Sequence, residues 1–292
     1  NIRNVVVMGH GGCGKTTLVE AIAYQTGITA RMGKVTDGNT ISDYDKEEQK
    51  RQFSISTSVV PVEFEDIKIN FLDTPGYFDF VGEVEEACHA AGAAVIVING
   101  KSGVEVGTLK AWELCEKYKL PRLFFVTGMD DDQASYRKIV LELNDRFGRK
   151  VAPFHVPIRE NEKFVGFVNV VKMKGRRFIN DTSEYEECDI PDYMDKHLNI
   201  SRDALVEAVA DASEELMERY FAGEEFTYEE VSTALRTHVM DCQIVPVLVG
   251  SGVHNQGTSM LMNVIKKYFP SPEYTQAGRS HRGPEIRKIY LL

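Results

Sequence analysis

The sequence predicts an α/β fold in which a mostly parallel sheet carries helices on both faces. Short β-branched runs alternate with helical patterns along much of the chain, and a glycine-rich loop joins the first run to the first helix. The 292 residues are 43% hydrophobic, which is enough to bury a substantial core. The chain is therefore long enough for one large domain or two ordinary ones.

The first helix and the strands follow from local patterns. A helix is predicted from Lys15, because apolar residues recur at helical spacing after it, and Gly27 would end it. The predicted strands are NVVVM (4–8), TSVVPVEF (57–64), IKINFL (67–72), AAVIVI (93–98), RLFFV (122–126) and IVPVLV (244–249). Helical patterns separate most of them, as expected for a parallel sheet.

Residues 151–242 depart from the alternation of single strands with helices and predict an inserted α+β subdomain. VAPFHVPI and KFVGFVNVV read as strands, a helix is predicted over 202–221, and the capping box Thr227-x-x-Glu230 opens another. We expect the parallel domain to be discontinuous, comprising 1–150 and 243–275. Residues 276–292 read as a linker towards a following domain.

Composition excludes several classes of protein. The apolar run AAVIVI is far shorter than the roughly 20 residues that cross a bilayer, and the first residues do not read as a signal peptide. Five scattered cysteines without a CxxC pair favour reduced thiols. A net charge of −10 argues against non-specific nucleic-acid binding. We expect a soluble cytoplasmic protein that binds neither membrane nor specific DNA sequences.

The stretch GHGGCGKT between the first strand and the first helix fits the phosphate-binding pattern GxxxxGK[ST]. Glycines let successive backbone N–H groups face an anion, and the helix N-terminus adds a favourable dipole. Lys15 is expected to reach the β- and γ-phosphates, and the Thr16 hydroxyl to bind Mg²⁺. A glycine-rich turn without a ligand is the structural alternative. The predicted nucleotide-binding residues here are His10, Gly11, Gly12, Cys13, Gly14, Lys15, Thr16 and Thr17.

A second phosphate-side element is predicted in DTPGYFDF, after the strand IKINFL. Asp73 ends that strand, where a phosphate-loop protein needs a carboxylate for Mg²⁺ or its water. Gly76 leaves room for its N–H to approach a γ-phosphate. Upstream, the polar segment 33–58 reads as a mobile connection that orders around a nucleotide, and the hydroxyls of Ser54 and Ser56 are candidates for a further Mg²⁺ ligand.

Two strand-end loops are candidates for recognition of the base. Asp130, in TGMD after RLFFV, would accept from the N1–H and 2-amino group of guanine, which adenine cannot offer. VGSG follows the last strand, and its backbone would donate to guanine O6. Ligands of doubly wound sheets bind at the carboxyl ends of strands. The predicted base-side residues are Thr127, Asp130, Ser251 and Gly252.

These motifs together resemble the GTPase domain of translational GTPases, most closely elongation factor G and its relatives. The similarity is carried by GHGGCGKTTL, EEQKRQFSIS, DTPGYFDFVGEVE, KYKLPRLFFVTGMD, VNVVKMKGRRF, ASEELMERYFAGEE, VPVLVGSGVHNQG and YFPSPE. It implies a Ras-like phosphate-loop GTPase domain with an inserted subdomain, GTP/GDP and Mg²⁺ as ligands, and action on the ribosome. The family also implies contact between the insert and the ribosomal stalk protein. We expect a monomer.

Several residues depart from the family pattern. Gly11-Gly12-Cys13 lacks an acidic residue that helps to bind a monovalent cation, and Ser54 replaces a threonine. Thr127 and Gly128 replace the Asn and Lys of NKxD, which predicts weaker nucleotide affinity with guanine preference retained.

Tyr77 stands where elongation factor G has the histidine that orients the attacking water. A phenol stays neutral and donates one hydrogen bond, so it can hold water but cannot supply positive charge. The alternative interpretation is that Tyr77 packs beside Phe78 and Phe80 and closes an apolar gate.

The predicted function is GTP hydrolysis on the ribosome, with Lys15, Gly76 and Tyr77 as catalytic residues and Thr16, Ser54 and Asp73 as Mg²⁺ ligands. The alternative from a different class is a regulatory module that binds GTP with little or no hydrolysis. Tetracycline ribosomal-protection proteins and the bacterial GTPase release factor share this layout. An ATP-dependent kinase is a more distant alternative, since Asp130 would then have no role.

Overall fold

A computed structural model describes residues 1–179, 182–211 and 213–273. Its strands are β1 (Ile2–Gly9), β2 (Ser58–Phe64), β3 (Ile67–Asp73), β4 (Ala93–Asn99), β5 (Arg122–Thr127), β6 (Val151–Pro153), β7 (His155–Glu160), β8 (Lys163–Asn169), β9 (Lys174–Phe178), β10 (Tyr185–Cys188) and β11 (Val245–Val249). Its α-helices are α1 (Lys15–Gln25), α2 (Lys46–Arg51), α3 (Val81–Ala90), α4 (Val106–Tyr118), α5 (Tyr136–Phe147), α6 (Asp195–Ala210), α7 (Glu214–Phe221), α8 (Tyr228–Met240) and α9 (Thr258–Tyr268).

The larger sheet has seven strands in the order β2-β3-β1-β4-β5-β11-β6. Its neighbours pair in parallel except β2 and β3, which are antiparallel. β5 and β11 are buried along their whole length, and β4 along all but its last residue, as expected for parallel strands with helices on both faces. The predicted fold class is confirmed. The six predicted strands of the parallel part all form, with ends shifted by one or two residues.

The smaller sheet is antiparallel, in the order β10-β9-β8-β7. It forms a separate subdomain inserted between β6 and β11. The helices α6, α7 and α8 follow it along the chain, with α6 in contact with β6 and α8 in contact with α9. β6 (Val151–Pro153) pairs with β11 of the larger sheet, so the first residues of the predicted segment 151–242 join that sheet. Residues 276–292, and the last two of 243–275, lie outside the described part of the chain.

One helix prediction in the subdomain was wrong and another is confirmed. The helix predicted over 202–221 is two helices, α6 and α7, because Ser213 adopts an extended backbone and its hydroxyl caps the new helix by accepting from Leu216 N–H. The capping box at Thr227 and Glu230 forms as predicted and begins α8. Within the described ranges, no helix is long and apolar enough to span a membrane.

His155 begins β7 and is fully buried beside the ring of Phe167, with centroids 4.4 Å apart. Neither ring nitrogen has a hydrogen-bond partner among the residues that the structure describes. Burial, aided by the positive charge of Arg176, lowers the pKa of His155 to about 3. The native state therefore holds this imidazole neutral at pH values where the unfolded chain protonates it.

We expect the free energy of unfolding to fall as the pH drops below about 6.5, by up to about 1.4 kcal/mol per pH unit from His155 alone. His155→Gln should remove this part of the dependence, because glutamine stays neutral. Urea unfolding at pH 7.5 and pH 5.0 measures the difference. His197→Gln, at an exposed position of α6, is the control and should retain the wild-type slope. An unchanged slope in His155→Gln would contradict the assignment.

Candidate functional site

The predicted phosphate loop, residues 9–17, lies at the carboxyl end of β1 and turns directly into α1. Gly14 precedes the helix with φ 100°, a left-handed backbone that favours glycine. Lys15 is buried, and its ammonium donates to the carbonyl oxygens of Gly9 at 3.2 Å and His10 at 2.9 Å. Two loop carbonyls thus hold the ammonium at the loop, where it can pair with a phosphate bound by backbone N–H groups.

Cys13 and His10 are held by packing around this loop. Cys13 is buried, and burial raises the pKa of its thiol, so the side chain fills space as a neutral group. His10 Nδ1 accepts from the N–H of Gly107, at the start of α4, at 3.3 Å. A side chain at Gly107 would overlap the backbone of His10, so this glycine allows α4 to pack against the loop.

The DTPG segment packs directly on the phosphate loop. A Cβ atom at Gly76 would lie 2.7 Å from Gly11 Cα and 2.8 Å from Gly11 N, and would also overlap the Lys15 ammonium. Distances below 3.0 Å do not occur for real Cβ atoms, so only glycine fits. The structure therefore brings Gly76, Gly11 and Lys15 together.

Hydroxyls and carboxylates gather beside the start of α1. The hydroxyl oxygens of Thr16 and Ser54 lie 3.1 Å apart, and Ser54 donates to Asp43 Oδ1 at 2.7 Å. Ser42 donates to Asp73 Oδ2 at 2.8 Å. All five side chains are buried. Ser56, the other hydroxyl candidate, is exposed and does not join the cluster.

Two carboxylate oxygens in this cluster are buried without a partner among the described residues, Asp43 Oδ2 and Asp73 Oδ1. Burial raises the pKa of Asp73 to about 6, although the hydrogen bond from Ser42, the charge of Lys15 and the nearby Thr16 hydroxyl oppose the shift. Burial likewise raises the pKa of Asp43, against a hydrogen bond from Ser54. Buried, unsatisfied carboxylate oxygens are costly unless a cation compensates them.

The hydroxyl and carboxylate oxygens of this cluster are the ligand types that Mg²⁺ prefers. Mg²⁺ in nucleotide sites takes few protein ligands, typically a hydroxyl and one or two carboxylates, and completes its shell with phosphate oxygens and water. No group of three or more His, Cys, Asp or Glu side chains within the described ranges is placed to hold a metal by itself. A metal here would therefore depend on the nucleotide.

The segment 33–58, which we name the first switch, is tied to α1 and to itself by buried carboxylates. Glu20, buried in α1, accepts from the N–H groups of Gly33 and Ile41, each at 2.7 Å. Glu48, buried in α2, accepts from Ile55 N–H at 2.9 Å. These carboxylates anchor the segment and bring Ser54 to Thr16.

Tyr77 follows Gly76 and lies over the phosphate loop. A Cβ atom at Gly11 would meet its Cε1 and Cζ atoms at 3.2 Å, so the hydroxyl end of the ring covers Gly11. The ring also packs against Phe53 of the first switch, with centroids 4.7 Å apart, and 46% of the residue is exposed. The aromatic partner is thus Phe53, rather than Phe78 or Phe80 as the packing interpretation supposed.

Thr127, at the end of β5, joins the predicted base-side loops to the phosphate loop. Its hydroxyl accepts from Gly252 N–H at 3.2 Å. Its methyl group would meet a Cβ at Gly14 at 3.2 Å. Thr127, which replaces the Asn of NKxD, therefore still packs against the phosphate loop.

Asp130 is exposed at the mouth of this region, and its Oδ2 lies 3.7 Å from Nε2 of His254. The loop after β11 supplies Ser251, which is buried and whose hydroxyl accepts from His254 N–H at 3.3 Å. Gly252 packs against Thr17 and the start of α1. Asp130, Ser251 and Gly252 thus lie on adjoining loops at one edge of the sheet.

Sequence reasoning missed several residues of the site: Glu20, Ser42, Asp43, Glu48, Phe53 and His254. Most lie in or contact the first switch, where acidic and hydroxyl residues are so frequent that composition singles out none of them. The one available signal was Asp43 in SDYD, next to Ser42. From the sequence alone, however, Asp43 cannot be distinguished from an ordinary turn residue.

Two comparisons bear on this chain. Residues 1–271 match the family model described as the elongation factor Tu GTP binding domain. A solved crystal structure of a protein from Thermus thermophilus is similar to it, with a TM-score of 0.86 and 35% sequence identity. The match covers 94% of this chain and 41% of that chain, so the present sequence spans about two fifths of the neighbour's length.

Proposed function

The chain belongs to the elongation factor Tu GTP-binding domain family of translational GTPases, and from this premise we propose that it binds GTP with Mg²⁺ and hydrolyses it to GDP and phosphate on the ribosome. One observation carries the proposal. The phosphate loop, the first switch and the DTPG segment converge on Lys15, Thr16 and Asp73, with Gly76 packed against Gly11.

Phosphate binding is assigned to the loop backbone and Lys15. The ammonium, which donates to two loop carbonyls, would turn to the β- and γ-phosphates when a nucleotide enters. Thr16, Ser54 and Asp73 would hold Mg²⁺, with Asp43 close enough to bind its water. Mg²⁺, when bound, neutralises the charge that develops on the phosphate oxygens.

Guanine recognition is assigned to Asp130, with the backbone around Ser251 and Gly252 on the opposite side of the base. Asp130 is exposed and is available to accept from a base. His254 is its neighbour in the structure, with Nε2 3.7 Å from Asp130 Oδ2. Thr127 braces the loops through Gly252 and Gly14.

Tyr77 is assigned to the attacking water. Hydrolysis is an in-line attack on the γ-phosphorus, and the protein contributes mainly by positioning the water and stabilising negative charge. The hydroxyl end of Tyr77 lies over Gly11, beside the loop that would hold the γ-phosphate, and Phe53 fixes the ring. A neutral phenol can orient water without adding charge, so we expect slow intrinsic hydrolysis that ribosomes accelerate.

The competing function is a regulatory module that binds GTP without turnover. Tyr77, Thr127 and Gly128, which depart from the family pattern, favour it. Multiple-turnover phosphate release from GTP, with and without ribosomes, separates the two. Release that ribosomes stimulate supports the GTPase, whereas background release in both conditions despite measurable GTP binding supports the module.

The effect of Tyr77→Phe tests the role of the hydroxyl. The phenyl ring keeps its packing on Phe53 and Gly11 but cannot donate to water. We expect ribosome-stimulated hydrolysis at saturating GTP to fall about 10-fold, the value of roughly one hydrogen bond, with GDP affinity unchanged. Phe78→Leu, at a neighbouring exposed position, is the control and should retain the rate. A Tyr77→Phe protein as active as wild type would assign Tyr77 to packing.

The remaining assignments concern the chain as a whole. We propose that the subdomain with the smaller sheet, predicted over 151–242, contacts the ribosomal stalk protein. We further propose that the protein is a cytoplasmic monomer. The pairing of β6 favours a boundary after Pro153 for the inserted part. Ribosome pelleting of the protein with and without GTP tests the association.

A further inference from the structure

Arg159 connects the inserted subdomain to the loop that follows Asp130. Its guanidinium donates to the carbonyl oxygen of Asp131 at 2.6 Å and to that of Ala134 at 2.9 Å. Arg159 lies in β7 of the smaller sheet, whereas both acceptors lie in the loop between β5 and α5. One side chain from the smaller sheet therefore holds two backbone carbonyls in residues 128–135, the loop between β5 and α5, which we name the base loop.

A β-bulge accompanies this contact. The register between β7 and β8 shifts between Ile158 and Arg159, while pairing is regular on both sides. A bulge disrupts the ladder locally and increases the twist of the strand pair. The backbone carbonyl of Arg159 is itself fixed, because the Tyr193 hydroxyl donates to it at 2.8 Å. The extra residue is Val165 of β8, which lies opposite the step from Ile158 to Arg159, so the irregularity borders the residue that reaches the base loop.

Backbone hydrogen bonds also hold the base loop near Asp130, among them Asp131 N–H to Gly128 O at 3.1 Å and Ala134 N–H to Asp131 O at 3.1 Å. Its first part is tied by Gly100 N–H to Thr127 O at 2.7 Å and by Met129 N–H to Gly250 O at 3.2 Å. Gly128 has φ 70° and contributes no side chain. Lys101 is 3.9 Å from the Asp131 carboxylate, but such exposed pairs contribute little. To these, Arg159 adds two side-chain hydrogen bonds from the smaller sheet to the loop directly after Asp130.

We propose that Arg159 is a positioning residue through which the inserted subdomain sets how tightly Asp130 holds the guanine base, and hence how fast guanine nucleotide dissociates. The planar guanidinium offers donors in a fixed fork, which suits two carbonyls at set positions. The inference rests on the proposed function, because it requires guanine to be bound by Asp130. Through Arg159, a conformational change or a contact of the inserted subdomain would alter the rate at which the nucleotide dissociates.

The test uses fluorescently labelled GDP and IDP, since inosine lacks the 2-amino group and retains one of the two donors that Asp130 would bind. For Arg159→Ala we expect GDP to bind about 10-fold more weakly, through faster dissociation, which corresponds to about 1.4 kcal/mol. IDP should weaken by less than about 3-fold, so the GDP/IDP affinity ratio narrows. Arg159→Lys keeps the charge but loses the fork, and we expect an intermediate effect.

Arg202→Ala is the matched control. Arg202, in α6, also donates to two backbone carbonyls, those of Val170 at 3.0 Å and Val171 at 3.4 Å, but both acceptors lie within the subdomain. It should leave both dissociation rates unchanged. Equal losses for GDP and IDP in Arg159→Ala, a similar loss in Arg202→Ala, or an unchanged GDP dissociation rate would each overturn the positioning role.

Failure of the underlying assignment would be seen in the unmodified protein. Wild-type protein that binds GDP no better than ADP would refute guanine recognition, and with it the role of Arg159. Circular-dichroism melting of each variant records whether the fold is retained. If Arg159→Ala does not fold, Arg159→Lys supplies the same comparison of GDP with IDP.

Discussion

Lys15→Ala lowers the affinity for GDP by about 100-fold or more while the protein remains folded. The ammonium is buried and makes two hydrogen bonds to loop carbonyls, which it would exchange for bonds to phosphate oxygens. Charge-assisted hydrogen bonds are each worth about 1.5–3 kcal/mol, and about 1.4 kcal/mol is a tenfold change in affinity. Calorimetric titration with GDP and Mg²⁺ measures the loss.

Lys110→Ala is the control for this change. Lys110 lies on the nearby helix α4, is exposed and pairs with Glu113 at 2.9 Å. Its removal should leave GDP affinity and the melting temperature within error of wild type, since exposed pairs contribute little. An unchanged GDP affinity in a folded Lys15→Ala protein would remove the basis for the phosphate-binding role of the loop.

The larger sheet could be predicted because burial imposes a simple pattern on its strands. AAVIVI and RLFFV have apolar side chains on both faces, and such short runs between helices favour parallel strands. The phosphate loop was also predictable, since its chemistry depends on a glycine pattern that is local in sequence. The break between α6 and α7 was not, because apolar residues keep the helical spacing across it.

The conformation of the first switch could not be predicted from its residues because long-range contacts hold it. It reads as polar and mobile, yet carboxylates anchor it. Glu20 lies in α1 and Glu83 in α3, where it accepts from Thr57 N–H at 2.7 Å. A carboxylate that accepts from several backbone N–H groups is stable when buried. The local sequence around it does not distinguish it from an exposed acidic residue. Asp43 was missed because its contact with Ser54, eleven residues away, forms only in the fold.

Gly76→Ala should reduce ribosome-stimulated GTP hydrolysis about 100-fold and leave GDP affinity within about 3-fold of wild type. The added methyl group would lie 2.7 Å from Gly11 Cα and 2.8 Å from Gly11 N. These are backbone atoms of the phosphate loop, which cannot rotate away as a side chain can, so the DTPG segment must move outward. Its N–H then loses the γ-phosphate, and removing one aligned donor typically costs about 10² to 10³ in rate.

Comparison of two nucleotides shows where this effect arises. A non-hydrolysable GTP analogue should bind Gly76→Ala more weakly than wild type, whereas GDP should not, because only the analogue carries the γ-phosphate that Gly76 would contact. Gly82→Ala, within α3, is the matched control. Its methyl group meets no atom within 4 Å, and alanine favours a helix by roughly 1 kcal/mol over glycine. Equal weakening of GDP and the analogue in Gly76→Ala would indicate damage to the whole phosphate loop and contradict a role confined to the γ-phosphate.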